Sequence, residues 1–357
     1  MMNRSNLKVP PRIGYWIFNY MPKWEAASKE VSTLAAYFHS DFGTRTISLN
    51  LRSDKLAFSG RNMHLPLPYA LIALPFLKHT AKALEINHVF ASPTERLLTP
   101  RLARLGNAIL TISKDNPHLD ELERNIGTLR SLHYIVVESK RHRDLLMQVG
   151  VEPERVKLIY PGVARQPYHQ PPHRPFTILF ASSPLANRYD MLSRGIYLMV
   201  RAATHLPDTK FRVIWRGEEP AKLRQLISDA DASNVEVISG YVEDMKSMYD
   251  TAHAVILPAL METSLKPCPH SGLESLAHGK PVLVSRPTSI SDIVEREGCG
   301  VTFEPNIASL CDSIARLRQS YGGYQERAQP TAARMFSREI FVDYYRQLYL
   351  SLLDERP

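Results

Sequence analysis

The strongest limit on the fold of this chain is a rhythm that occurs twice. Short apolar runs suited to buried strands alternate with stretches of helical periodicity, and one Pro-rich segment interrupts the alternation. Before the interruption the strand-like runs are Arg12–Asn19, Thr46–Leu51, His88–Ala91, Ala108–Ile112 and Tyr134–Val137, with helices near 25–38 and over Ser139–Gly150. Beyond it come Phe176–Ser182, Phe211–Trp215, Asn234–Ser239, His253–Pro258, Pro281–Ser285 and Gly300–Phe303, with a helix over Arg194–His205. Such alternation builds parallel sheets covered by crossover helices. The interruption, Ala164–Pro175, reads ARQPYHQPPHRP, and its four prolines make it extend rather than fold. The expected architecture is α/β: two doubly wound lobes, 1–163 and 176–336, joined by a linker over 164–175 in which His169 and His173 are solvated. At 357 residues the chain gives each lobe enough length to bury its own core.

Within the second lobe, PCPHSGLESLAHGKPVLVS (267–285) carries the clearest local logic. A Pro-punctuated loop leads to Ser271-Gly-Leu-Glu274, which reads as a helix start with Ser271 as cap and Glu274 three residues on. Gly279 stops the helix, and Pro281–Ser285 reads as a buried parallel strand. A helix N-terminus opening from a loop attracts anions, so a phosphate-bearing ligand is the first expectation. Glu274 has two readings, completion of a capping box or contact with that ligand.

Leu273-Glu-Ser-Leu-Ala277 followed by Gly279-Lys-Pro-Val282 is similar to the donor-site helix of the family 4 retaining glycosyltransferases. Asn234–Met245, Met248-Tyr249 and Ala254–Pro258 resemble the same family, as does Val151–Val163 with its Pro-Gly-Val exit. The resemblance covers residues 134–353, and the first 130 in outline. It implies the GT-B fold: two Rossmann-like domains facing a central cleft, with a last helix over 337–357 packing back on the first domain. It further implies sugar transfer from a nucleotide-diphosphate sugar with retention of configuration, using neither metal nor cofactor.

By the same resemblance Glu274 accepts the ribose hydroxyls, and Ser271, Gly272, Leu273, Gly217 and Tyr241 meet the donor. Arg194-Gly195 stands where the family has Lys-Gly on the departing phosphate, and Arg188 is a second cation by proximity. An arginine can clamp phosphate bidentately. Glu262, four residues after Pro258, matches the sugar-contacting acid; eleven residues separate it from Glu274, more than in the family, and Lys266 shares that loop. His88, late in a strand, is either catalytic or structural. The first loop, Pro22–Ser28, lacks the family's Gly-rich turn, so a side chain must meet the phosphates there or that lobe grips the donor differently. Glu219 likewise replaces the second glycine of the family's Gly-x-Gly turn. These departures leave a second reading open, a catalytically inactive GT-B module that binds sugar or nucleotide.

Charge bears on the partners. Residues 1–162 hold 22 Lys and Arg against 14 Asp and Glu, whereas 163–357 hold 22 of each, so the whole net +8 lies in the first half. Nucleic acid, an anionic membrane surface and an anionic substrate all fit such a balance. No aromatic–basic interleaving supports nucleic acid. Met63–Leu77 is apolar but broken by Pro66, Pro68 and Pro75, with Lys78 and Lys82 beyond. Tyr69–Leu84 then reads as a surface helix that dips into a membrane interface or packs on its own lobe. An anionic or lipid-linked acceptor would meet this region, aided by Arg101 and Arg104. The three cysteines show no metal-ligand spacing, no run is apolar enough to span a bilayer, and MMNRSNLKVPPR lacks a signal peptide's apolar core. The expected setting is cytoplasmic, with peripheral contact at the inner membrane face. Asp229-Ala-Asp231, at a helix end, reads as surface rather than metal site. A last stripe (Ile340, Phe341, Tyr344, Tyr345, Leu348, Tyr349, Leu352) marks a packed C-terminal helix.

Overall fold

The structure, a computed structural model, describes residues 12–355 apart from 19, 21–24, 51–55, 60, 67–68, 70–71, 114–117, 172–173, 182–187 and 217–219. The chain divides into two units, Met1–Tyr160 with Phe341–Pro357, and Pro161–Ile340.

The first unit is built on β1 (Arg12–Phe18), β2 (Gly43–Asn50), β3 (Ala57–Ser59), β4 (Asn62–Pro66), β5 (Ile86–Ala91), β6 (Ala108–Ile112), β7 (Tyr134–Val137) and β8 (Val156–Leu158). Their order in one sheet is β3-β4-β2-β1-β5-β6-β7-β8. All neighbours run parallel except the β3–β4 hairpin. Helices cover both faces, which is why β1, β5, β6 and β7 read as continuous apolar runs. On one face the helix Ala26–Tyr37 and the end of the helix Arg338–Asp354 close over Tyr15, Ile17, Phe90, Ile109 and Val136. The last helix buries Phe341, Val342, Tyr345, Leu348, Tyr349 and Leu352 there, each worth roughly 1.5–3 kcal/mol. Three details differ from the expected stripe: Val342 belongs to it, Tyr344 faces out and Ile340 is only partly buried, because positions 342 and 344 lie about 200° apart around a helix.

The apolar, proline-broken stretch from Met63 onward begins as strand. Met63–Pro66 pairs with β2, and Pro66, as the last residue of β4, needs no further ladder donor. The helix expected over Tyr69–Leu84 is found at Leu74–Lys82, with Pro75 in its first turn.

The second unit holds β9 (Phe176–Phe180), β10 (Thr209–Trp215), β11 (Val235–Ser239), β12 (Ala254–Leu257), β13 (Val282–Ser285) and β14 (Gly300–Phe303). Their order is β11-β10-β9-β12-β13-β14, all parallel. The winding reverses between β9 and β12, and the crevice beyond the carboxyl ends of those two strands is where doubly wound sheets bind ligands. The helix expected over Arg194–His205 is found at Ile196–Ala203 with Gly195 as its N-cap, and a further short helix, Arg188–Ser193, precedes it where a loop was expected. The Pro-rich segment is extended but fastened to this unit. Val163 forms a bridge to Ser337, and the Gln166 carbonyl accepts from Gln329 Nε2 at 2.6 Å. The His169 carbonyl accepts from Lys280 Nζ while the His169 imidazole is exposed, as expected; His173 lies outside the described residues.

Candidate active site

The site is assembled by three described stretches: Arg194-Gly195 after β9, Arg216 at the end of β10, and 259–262 after β12. Gly195 decides how two of them meet. Its φ of +76° suits glycine, and a Cβ there would stand 1.8 Å from the Pro258 carbonyl oxygen. Leu260 N–H donates to the Ser193 carbonyl at 2.7 Å on the other side of that contact. Arg194 is thereby held beside the loop that follows β12. That loop carries Glu262, whose Oε1 accepts from Ser289 Oγ at 3.0 Å. At the end of β10, Arg216 donates to the Ala181 carbonyl at 3.1 Å, placing a guanidinium at the tip of β9.

The helix His270–Ala277 follows, its N-terminus at the carboxyl edge of the sheet. Pro269, not Ser271, is its N-cap, and its carbonyl accepts from the N–H groups of Gly272 and Leu273. No capping box forms, so Glu274 is not explained as a cap. Its Oε2 instead accepts from the Tyr249 hydroxyl at 2.6 Å. Burial, and then the carboxylate beside it, raise the Tyr249 phenol well above its usual pKa, so it stays protonated and donates. A carboxylate has two acceptor oxygens, the chemistry that vicinal hydroxyls need. Leu273 is fully buried and Gly272 packs against Leu257, where a Cβ would come within 2.9 Å of Cδ1. These two positions shape the helix, and only their backbone is near its N-terminus.

Behind Tyr249 lies a polar cluster that motif reading did not single out. The His278 ring stacks on Tyr249 at 5.1 Å, and its Nδ1 lies 2.9 Å from Asp250 Oδ1. Burial lowers the His278 pKa against the opposing pull of Asp250. Lys280 is fully buried, bonds the Asp250 carbonyl at 3.2 Å, and has its pKa lowered to about 8 by burial. No periodicity points to these partners, because Tyr249 and Glu274 stand 25 residues apart and meet only through neighbouring crossovers.

Residues 191–334 match the family model Glycosyl transferases group 1. That group 1 region contains Arg194, Arg216, Tyr249, Glu262 and Glu274. No curated protein sequence matches the chain. Solved structures share its fold. Sucrose-phosphate synthase from Thermosynechococcus elongatus aligns at TM-score 0.76 and 15% identity over 97% of this chain and 100% of that one. Anabaena HepE, solved with UDP and glucose, aligns at 0.74 and 13% over 96% and 100%. WaaG, a glycosyltransferase of lipopolysaccharide biosynthesis, aligns at 0.68 and 14% over 90% and 95%. Identities this low show the fold: two Rossmann-like α/β domains of the GT-B class.

The remaining expected residues fall differently. Tyr241 stands exposed on the loop after β11. Gly217 and the Arg188 side chain lie outside the described residues. Lys266 is half-buried in the loop before the Glu274 helix. Asp229 ends the helix Pro220–Asp229 and accepts from Gln225, and Asp231 follows at φ +52° in a turn; among the described residues no group of three His, Cys, Asp or Glu could hold a metal ion. His88 is nowhere near a surface. It is fully buried in the first unit, with Nδ1 2.7 Å from the Tyr349 hydroxyl and Nε2 2.7 Å from Thr111 Oγ1. Burial lowers its pKa to about 3, so it is a neutral core histidine, and no reacting group reaches it there.

Proposed function

We propose that this chain is a glycosyltransferase of group 1 type that moves a sugar from a nucleotide-diphosphate sugar to a glycan, lipid-linked or small-molecule acceptor. Retention of configuration and independence of metal belong to the same reading. The observation that carries it is Glu274, on a helix opening at the carboxyl edge of the sheet beside the β9–β12 reversal, with its carboxylate aimed by Tyr249. In this reading Glu274 accepts the ribose hydroxyls, and Tyr241 offers an exposed ring to the base. Arg194 and the N-terminus of the Glu274 helix stabilise the charge that grows on the departing diphosphate. Glu262, steadied by Ser289, receives the hydroxyls of the sugar. Because HepE was solved with UDP-glucose, uridine diphosphate sugars are the first donors to try. Purified protein given UDP-sugars should release UDP, slowly to water and faster with an acceptor, in the presence of EDTA. Tight binding of the same donors without any turnover would show the inactive binding module instead.

The acceptor side of the reading rests on the first unit. Its helix Leu74–Lys82 buries Leu77 and Ala81, while Phe76 is 55% exposed next to Lys78 and Lys82, and Ile72 and Tyr69 are 80% and 52% exposed just before it. Large exposed apolar groups flanked by lysines suit an anionic lipid surface, where each basic side chain contributes about 1 kcal/mol. Among the described residues no helix is long and apolar enough to cross a membrane. Co-sedimentation with anionic but not neutral vesicles, lost in Lys78→Glu/Lys82→Glu, is expected. Equal failure with both vesicle types would leave an acceptor free in solution.

A further inference from the structure

Lys280 has no place in the donor contacts, yet it is the largest charged side chain sealed in the second unit. A buried ammonium is costly unless every donor finds an acceptor. Here those acceptors come from two places. One is the Asp250 carbonyl at the end of the helix Met245–Asp250, one residue from Tyr249. The other is the His169 carbonyl of the segment 164–171, whose Tyr168 ring also lies over Nζ at 4.9 Å. Gly279 keeps the ring seated, since a Cβ there would come 2.8 Å from Tyr168 Cδ2. Asp250 adds a second tie, holding His278, which stacks on Tyr249. One continuous set of contacts therefore runs from the segment 164–171 through Lys280, Asp250 and His278 to Tyr249 and Glu274.

We propose that Lys280 is a positioning residue that couples the seating of segment 164–171 to the Glu274 carboxylate, so that ribose recognition weakens when the segment lifts. The inference rests on the donor reading of Glu274. The segment belongs to the second unit and joins β8 to β9 along the chain. A lysine clamp on it makes donor affinity depend on its conformation. The groups facing Lys280 are Asp250, His169, His278 and Tyr168, and only Asp250 opposes loss of its proton.

The test compares UDP with 2′,3′-dideoxy-UDP by calorimetry, because only the first offers hydroxyls to Glu274. The parent should bind UDP the more tightly. In Lys280→Met, UDP affinity should fall about tenfold, a usual coupling size, while dideoxy-UDP affinity stays within about twofold. An equal fall for both nucleotides would make Lys280 a general part of the fold and overturn the proposal. No preference of the parent for UDP, or no binding of either, would overturn the donor reading itself, whatever Lys280 does. Should Lys280→Met fail to fold, Tyr168→Leu removes only the ring over the ammonium; it should cost UDP roughly threefold and spare dideoxy-UDP, and parent-like UDP binding would refute the coupling. The UDP preference of the parent should also decline as pH rises through about 8, where Lys280 loses its proton, and be flat in Lys280→Met. A flat profile in the parent would count against the proposal.

Discussion

The two sheets treat the polar side chains at their strands in opposite ways. In the first unit a chain of hydrogen bonds runs from Tyr349 through His88 and Thr111 to Tyr345, both tyrosines on the last helix, with Thr111 Oγ1 reaching Tyr345 at 2.9 Å as well as His88. In the second, the buried Tyr249 holds Glu274 by its hydroxyl with Arg216 nearby, and the Glu274 side chain is only partly covered. Both groups contain residues that chemistry uses. The difference lies in access: a histidine whose two nitrogens are engaged and fully buried specifies packing, whereas a carboxylate that is only partly buried can still be reached by a ligand.

The comparison can be broken at several points. The largest effect is expected from Gly195→Ala, which forces both a left-handed backbone and a clash with the Pro258 carbonyl. Urea denaturation should show a loss of about 3 kcal/mol or more, together with loss of nucleotide binding. An unchanged midpoint would mean that the two loops are not locked as described. The first unit should be the acid-sensitive one. Burial depresses His88 to about 3 and His142 to about 4, so their contribution is complete above the unfolded value near 6.5 and is lost as pH falls toward those numbers. By pH 5 each should have withdrawn about 2 kcal/mol. Replacing His88 by Gln should roughly halve that slope without altering nucleotide affinity; a change in affinity would return His88 to the site.

Glu274→Gln sharpens the contrast from the other side. It keeps an acceptor for Tyr249, so stability should hold, while nucleotide affinity falls by about 1.5 kcal/mol as charge-assisted bonds become neutral ones. Equal binding by parent and variant would return Glu274 to a structural role. The smallest effect is expected at Gly106, whose φ of +73° matches that of Gly195 but whose Cβ would meet nothing within 4 Å. Gly106→Ala should cost only about 1 kcal/mol. A cost as large as that at Gly195 would show that backbone strain alone, not the Pro258 contact, governs both sites.

Much of the fold was legible because strand and helix periods are local properties of the chain. The runs Ala108–Ile112 and Tyr134–Val137 are strands over those same residues, and Ser139 caps the helix Lys140–Gln148 through its side chain. The hairpin Ala57–Ser59 with Asn62–Pro66 was not legible, since three- and five-residue strands with prolines nearby leave no period to count. The short helix Arg188–Ser193 was hidden for another reason: six residues are too few to show a period, and the turn at Gly195 that ends it is required by the Pro258 carbonyl.

The site divides along the same line. The sequence by itself determined that Glu274 sits on a helix opening from a Pro-rich loop, that Arg194-Gly195 follows the first strand of its unit, and that the positive charge belongs to residues 1–162. Only the tertiary structure decided that Tyr249 holds Glu274, that Lys280 bonds the carbonyl of His169, 111 residues away, and that His88 lies under Tyr349, 261 residues away. The physical reason is that side-chain spacing fixes which face of an element a residue occupies, while its partners depend on which strands become neighbours. In a parallel sheet every neighbour is reached through a crossover, so β9 lies beside β12 by a choice that no local pattern records.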